Sequence, residues 1–493
     1  MPDQTLALHR VQHRVYDLTG VRTGSVRDQL LRSTLVAEAL CDQQLVRPGV
    51  ENGLLVLGAG AAGMNAAMAA ASRGVDVCVL EIEPRPFSRL SLATWRRVDP
   101  CEYDWPHPHH GAGRFPLLPA AAHRVPLRQR RASGARLAQL FMHTWQQRLT
   151  LQAAVGWCGG QVQLHTSADA KLFLPLQPAG VTPTTAATAI DVPGPWHTLQ
   201  PGAVAGKSRR FGAVLSCIGF GAERCAEDVA PGAAALWGGY GGPRFWEDYD
   251  GVPDQGQPCA LNQAVVSGGG DGAMQDLQRL ATGQFGLALL RRLNSALAMS
   301  MAMATTQAEA EPLATLEMQH MFMVAEDSAR RAYAWQGARA PQQALETWHK
   351  IFEDAVEARM NHLAALPGGQ VLPELARGVL RPELFQPGGL HITWLWRDKT
   401  PGYAFALNRF LCLVLLQLAQ RTGLHQRLRA WPQHAVHSVV PGAPHALVVK
   451  QLASGTTQPL QADLLLVRHG ILPNPLLGGP AVPEQLVPYD LPA

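Results

Sequence analysis

Three glycines and one glutamate carry the most legible chemistry in this chain. Gly58, Gly60 and Gly63 stand in the run Gly58-Ala59-Gly60-Ala61-Ala62-Gly63, directly after the apolar residues 54–57. The first glycine permits a tight turn, the second lets a pyrophosphate approach the backbone, and the third lets the next helix pack on the strand. That helix offers N–H groups without intrahelical partners and a partial positive charge, a combination that holds phosphate. Glu81 lies 18 residues beyond Gly63, at the end of the apolar run 75–80. An acid there accepts hydrogen bonds from adenosine ribose hydroxyls and repels a 2′-phosphate, which argues against NADP at this turn. Strand, turn, helix, strand and acid agree, so Gly58, Ala59, Gly60, Ala61, Ala62, Gly63 and Glu81 are assigned to an adenine dinucleotide.

A second turn of this kind follows the apolar residues 264–267. Gly268, Gly270 and Ala273 fit GxGxxA between a strand and a helix, but Asp271 sets a carboxylate where phosphates would lie. A turn that keeps its backbone role and lines a cavity is the favoured reading, with a working nucleotide site as the alternative. Residues 95–110 gather Trp, Arg, Tyr, Asp and His in one loop, and such loops on a rigid sheet contact substrates or cofactors. Either Arg96 or Arg97 is suited to a pyrophosphate there. His107, His109 and His110 are separated by prolines or sit side by side, poor geometry for one ion, so no metal is expected. No Ser–His–Asp or paired-carboxylate arrangement follows from spacing, and no catalytic residue is named.

These residues need a scaffold, and hydrophobic periodicity supplies its outline. The 493 residues are 47% hydrophobic and 16% charged, enough apolar material for a large core or several domains. Residues 26–45 show helical spacing, and residues 54–81 read as strand–helix–strand. Short strands are predicted at 162–165, 171–174 and 213–218, and another at 264–267. Residues 273–365 carry apolar positions at three- and four-residue spacing and read as a helical block, with one more helix at 404–420. The end of the chain turns β at 435–440, 446–451 and 463–467. The net charge of +4 is too small and too scattered for a nucleic-acid partner. Charges interrupt the most apolar runs, so no membrane span is expected. Eight cysteines without a CxxC pair fit a reducing compartment, hence a cytoplasmic protein.

The Gly58–Gly63 loop with Glu81 resembles the FAD fingerprint of the glutathione-reductase-like FAD/NAD(P)-binding flavoproteins. Residues 211–221, an apolar strand ending in Cys217-Ile218-Gly219, resemble the turn that this superfamily places beside the FAD, which adds Gly219 to the cofactor site. Residues 462–470, an apolar strand after a β-meander, are a second candidate for that strand and turn beside the FAD, with Arg468-His469-Gly470 where a small neutral turn is usual. The second turn resembles the nucleotide turn of thioredoxin-reductase-like enzymes, which brings in Gly268, Gly270 and Asp271 and NAD(P) as a second cofactor. The missing CxxC argues against thiol–disulfide exchange. What the resemblance implies is an α/β fold, a three-layer Rossmann-like FAD-binding domain with a mainly helical insertion or cap. Its expected division is an N-terminal helical segment 1–49, a discontinuous α/β domain 50–272 and 430–493, and the cap 273–429. The implied activity is an FAD-dependent oxidoreductase for a small-molecule substrate, reoxidised by oxygen, NAD(P) or a protein partner docked on the helical block. Two alternatives stay open: a non-catalytic dinucleotide-binding interaction protein, and an NAD-binding enzyme without flavin.

Overall fold

The computed structural model describes residues 2–19, 26–49, 51, 53–98, 105–107, 132–133, 135–143, 146, 159–173, 177–178, 189–199, 208–219, 223–227, 236–304, 311–333, 342–367 and 369–471. Two parallel sheets organise them. In the first, Leu54–Leu57 is central, flanked by Val77–Leu80 and Ala213–Ser216, with Val162–His165 and Val15–Asp17 outside these. All five run parallel, and Arg10–Gln12 adds an antiparallel edge. The three central strands are short, almost wholly apolar and buried throughout, because both faces are covered. Leu54 and Val56 point into one core with the helices Val26–Asp42 and Ala61–Ser72, while Leu55 and Leu57 point into another with Phe173, Ile190, Trp196 and Phe211. A small antiparallel sheet, including Ile190–Val192 and Arg209–Phe211, supplies part of that second face. This half is therefore a three-layer α/β unit of Rossmann type.

The second sheet repeats the plan. Its strands are Leu428–Pro432, His391–Trp396, Gln263–Ser267 and Leu464–Val467, in that order and all parallel. Alternation again sorts the side chains. Ala264, Val266, Ile392, Trp394 and Leu466 meet the helical core, and Val265, Leu395, Leu465 and Val467 meet the meander His434–Val440, His445–Gln451, Thr457–Ala462.

Several expectations change here. The N-terminal segment 1–49 is not wholly helical, since Val15–Asp17 is a strand of the first sheet. Residues 170–173 form a 3₁₀ turn rather than a strand. The division into 50–272 with 430–493 against 273–429 does not follow the sheets. Gln263–Ser267 and Leu464–Val467 pair with each other and not with Leu54–Leu57, and the expected cap contributes His391–Trp396 on the other side of Gln263–Ser267. The physical reason is the parallel crossover: successive parallel strands need a long connection, and here the helical block Asp271–Thr282, Gly286–Ala304, Leu316–Tyr333, Gln342–Ala364 and Val371–Val379 forms it. Among the described residues, no helix is long and apolar enough to cross a membrane.

Candidate functional site

The first glycine turn is built from backbone contacts that dictate its residues. Gly58 has φ +95, and a Cβ added there would lie 2.5 Å from Cys217 O. At Gly63 an added Cβ would come 1.9 Å from Gly58 O. The floor of the turn is thus pressed against Cys217 and Ile218, just beyond the strand Ala213–Ser216, and that strand's turn is brought to the loop. Gly219, with φ +75, continues this turn, and among the described residues nothing lies within 4 Å of where its Cβ would be.

Above the turn the situation reverses. A Cβ on Gly60 would meet nothing within 4 Å among the described residues. Gly60 caps the helix Ala61–Ser72 without any side-chain hydrogen bond, and the Met64 N–H to Gly60 O bond leaves the preceding N–H groups to a ligand. The buried Asn65 ties this helix to its neighbour, its Nδ2 donating to Leu30 O, Ser33 Oγ and Thr34 Oγ1. Glu81 is 9% exposed at the end of Val77–Leu80. Its Oε2 accepts from the Ala59 N–H at 2.5 Å and its Oε1 from the Glu83 N–H at 3.0 Å. Two N–H groups fix the carboxylate beside the turn and leave lone pairs for ribose hydroxyls. The sequence-predicted residues Gly58, Ala59, Gly60, Ala61, Ala62, Gly63, Glu81 and Gly219 are therefore grouped at the carboxyl ends of the three central strands of the first sheet.

The second turn shares the spacing and differs in its surroundings. Gly268 has φ +140, and its added Cβ would lie 2.2 Å from Arg468 O. On the other side, a Cβ on Gly269 would sit 2.8 Å from Gly402 N and 3.3 Å from Pro401 Cα, and one on Gly270 3.8 Å from Tyr403 O. Asp271 opens the helix Asp271–Thr282, and its Oδ1 accepts from the Phe405 N–H at 2.9 Å and from Asn408 Nδ2 at 2.7 Å. Burial pushes its carboxyl up to about 6, against the pull of those two hydrogen bonds. Gly268, Gly270 and Asp271 thus lie on the second sheet, away from the strand that carries Gly58.

The 95–110 loop departs from expectation at Arg96. Its guanidinium is buried and bonds Asp250 at 3.1 Å and Asp276 at 3.0 Å, so it does not serve a pyrophosphate. Arg279 joins Asp250 at 2.5 Å and Asp276 at 3.2 Å, and Arg468 reaches Asp276 at 2.7 Å. Burial alone would raise the Asp276 carboxyl, but Arg96, Arg468 and Arg279 hold it well below the usual carboxylate range. Three cations around two anions thereby fasten the Trp95 segment to the second sheet. Sequence reading missed this network, although Asp276 and Arg279, one turn apart on a helix buried along most of its length, were a signal. Arg97 is exposed and lines a cleft of about 380 Å³ with Trp95, Tyr249 and Arg279. His107 is buried, and His109 and His110 lie outside the described residues. The strand Leu464–Val467 and the meander before it belong to the second sheet, and His469 Nε2 pairs with Ser267 Oγ at 2.9 Å there, so the comparison of residues 462–470 with a strand beside the first turn does not hold.

Residues 56–114 match the NAD(P)-binding Rossmann-like domain family. No curated protein matches the chain. Among solved structures, the chain is similar to a thioredoxin reductase from Lactococcus lactis, with TM-score 0.35 and 10% identity, covering 86% of this chain and 80% of that one. A bacillithiol disulfide reductase from Staphylococcus aureus aligns with TM-score 0.38 and 8% identity over 86% of this chain and 77% of that one. An ornithine N-hydroxylase from Kutzneria sp. 744 aligns with TM-score 0.33 and 10% identity over 87% and 83%. The family match begins within the strand Leu54–Leu57 and includes the whole first turn, so the chain carries a Rossmann-like dinucleotide-binding domain.

Proposed function

We propose that this chain is an FAD-dependent oxidoreductase that holds its cofactor at the first glycine turn and acts on a small molecule. The observation that carries the reading is the open face at Gly60, above an uncapped helix and beside a carboxylate fixed by two backbone N–H groups. The N–H groups at the start of Ala61–Ser72 bind the pyrophosphate, and Gly60 admits it to the backbone. Glu81 orients the adenosine ribose. The Cys217–Gly219 turn, pressed on Gly58, fixes the loop from below. Bound FAD supplies two-electron transfer, and the protein contributes placement, orientation and water exclusion. The cleft beside Trp95, Arg97, Tyr249 and Asp254 supports a small-molecule substrate by its size and its mixed aromatic and charged lining. A cytoplasmic location belongs to the same reading, on the scattered thiols.

A second reading, an NAD-binding enzyme without flavin, draws on the same Glu81 and on the family matched at residues 56–114. An absorption spectrum of the purified chain separates the two. The two-band visible spectrum of oxidised flavin, released on heating, supports the first. A protein that stays colourless after incubation with FAD, yet gains thermal stability with NAD, overturns it.

A further inference from the structure

The second glycine turn resembles the nucleotide turn of thioredoxin-reductase-like enzymes, which implies NAD(P) there. Its residues do not fit that group. The segment 401–405 already occupies the space over Gly269 and Gly270, with Gly402 N 2.8 Å and Tyr403 O 3.8 Å from where their Cβ atoms would be. A pyrophosphate needs that same approach to the backbone. At the helix N-terminus, where the phosphate charge would rest, the Asp271 carboxylate is held by Phe405 and Asn408. The covering segment is itself anchored. Buried Arg409 donates from Nη2 to Gly402 O at 2.6 Å, and its guanidinium lies 4.1 Å over the Trp348 ring, which stacks on Tyr403 at 5.3 Å. From the strand side, Trp394 Nε1 donates to Gly268 O at 2.7 Å. Glu326 Oε1 accepts the Ala406 N–H, so the buried Glu326 and the half-buried Asp271 both serve the start of the helix Ala406–Arg421.

We infer that the second glycine turn is a closed clasp, filled by residues 401–405 and the Asp271 carboxylate, which seats the helix Ala406–Arg421 and takes no nicotinamide dinucleotide. Gly268 and Gly269 are required because the chain's own backbone, at Arg468 and Gly402, comes as close as a cofactor would. Electrons therefore do not enter or leave through a nicotinamide bound at the second sheet. This inference stands independently of the flavin reading.

The test is calorimetric and fluorescence titration of the full chain with NADH and with NADPH, on the unaltered protein and on Gly270→Ala, Asp271→Asn and Gly60→Ala. An alanine at Gly270 meets nothing closer than Tyr403 O at 3.8 Å, so this variant keeps its fold, checked by Tm. The expected result is that Gly270→Ala and Asp271→Asn titrate as the unaltered protein does. Saturable binding that Gly270→Ala weakens, or Asp271→Asn tightens, by about tenfold or more at unchanged Tm overturns the inference. Binding abolished by Gly60→Ala alone places the nucleotide at the first turn. That outcome upholds the closed clasp and counts against the flavin reading.

Discussion

Two turns in this molecule share a strand before them, a helix after them and glycines at the same spacing, yet one has open space where the other has chain. Beneath, they are alike: Gly58 and Gly63 press on Cys217 and on each other, and Gly268 presses on Arg468. Above, nothing described lies within 4 Å of where a Gly60 Cβ would be, whereas Gly402 and Tyr403 cover Gly269 and Gly270. The acids differ in the same sense. Glu81 sits at the end of the second strand, facing the turn, while Asp271 sits at the helix N-terminus itself and is consumed by Phe405 and Asn408. A glycine fingerprint therefore reports that something comes close to the backbone, and the fold decides whether that something is a ligand.

The comparison can be broken most sharply at the floors of the turns. Alanine at Gly63 or at Gly268 is expected to destabilise the fold by on the order of 3 kcal/mol, because a methyl would fall within 2.2 Å or less of a backbone oxygen in either case. Urea denaturation that finds one of them tolerated would end the claim of equivalent floors. Next, Gly60→Ala should leave stability within about 0.5 kcal/mol and weaken the bound cofactor by roughly two orders of magnitude, about 2.7 kcal/mol, read from flavin retained through purification. Gly269→Ala should do the reverse, losing on the order of 1 kcal/mol by overpacking against Gly402 while cofactor content is unchanged.

The smallest effect concerns pH. The Asp271 carboxyl is raised to about 6 in the fold from an ordinary value of 3.8. A raised folded value favours the protonated native state, so this stability is fully present below 3.8 and lost as pH rises through about 6. Asp271→Asn keeps an oxygen for both donors and removes the titration. Stability curves should show a shallower fall between pH 4 and 6 for the variant, which becomes the more stable protein above that window by on the order of 1 kcal/mol. Parallel curves would mean that Asp271 is not a desolvated charge.

The first unit was legible because the run from Leu54 to Glu81 holds strand, turn, helix and strand in one stretch. The pattern shows there even though Gly58 is pressed on the distant Cys217. The α/β class and most helices followed from periodicity. What escaped was set by tertiary contact. Val15–Asp17 is too short to show alternation, and His391–Trp396 stands among helices, so neither announced the sheet it joins. Of the adjacent Arg96 and Arg97, spacing did not tell which goes inward, and it is Arg96, on the side facing Asp250 and Asp276. The cover over the second turn comes from residues more than a hundred positions later in sequence, beyond the reach of any local pattern.

The placement of Val15–Asp17 also bears on how the protein is made. Its parallel neighbour is Ala213–Ser216, the same strand that supports Gly58 from below. During synthesis the amino-terminal strand and the glycine turn both emerge long before that shared neighbour, and neither can be locked until it leaves the ribosome. Leu54–Leu57 can pair early with Val77–Leu80, but Val15–Asp17 must wait for its parallel partner through the translation of some two hundred residues. That interval is where chaperone dependence and aggregation of this chain would concentrate.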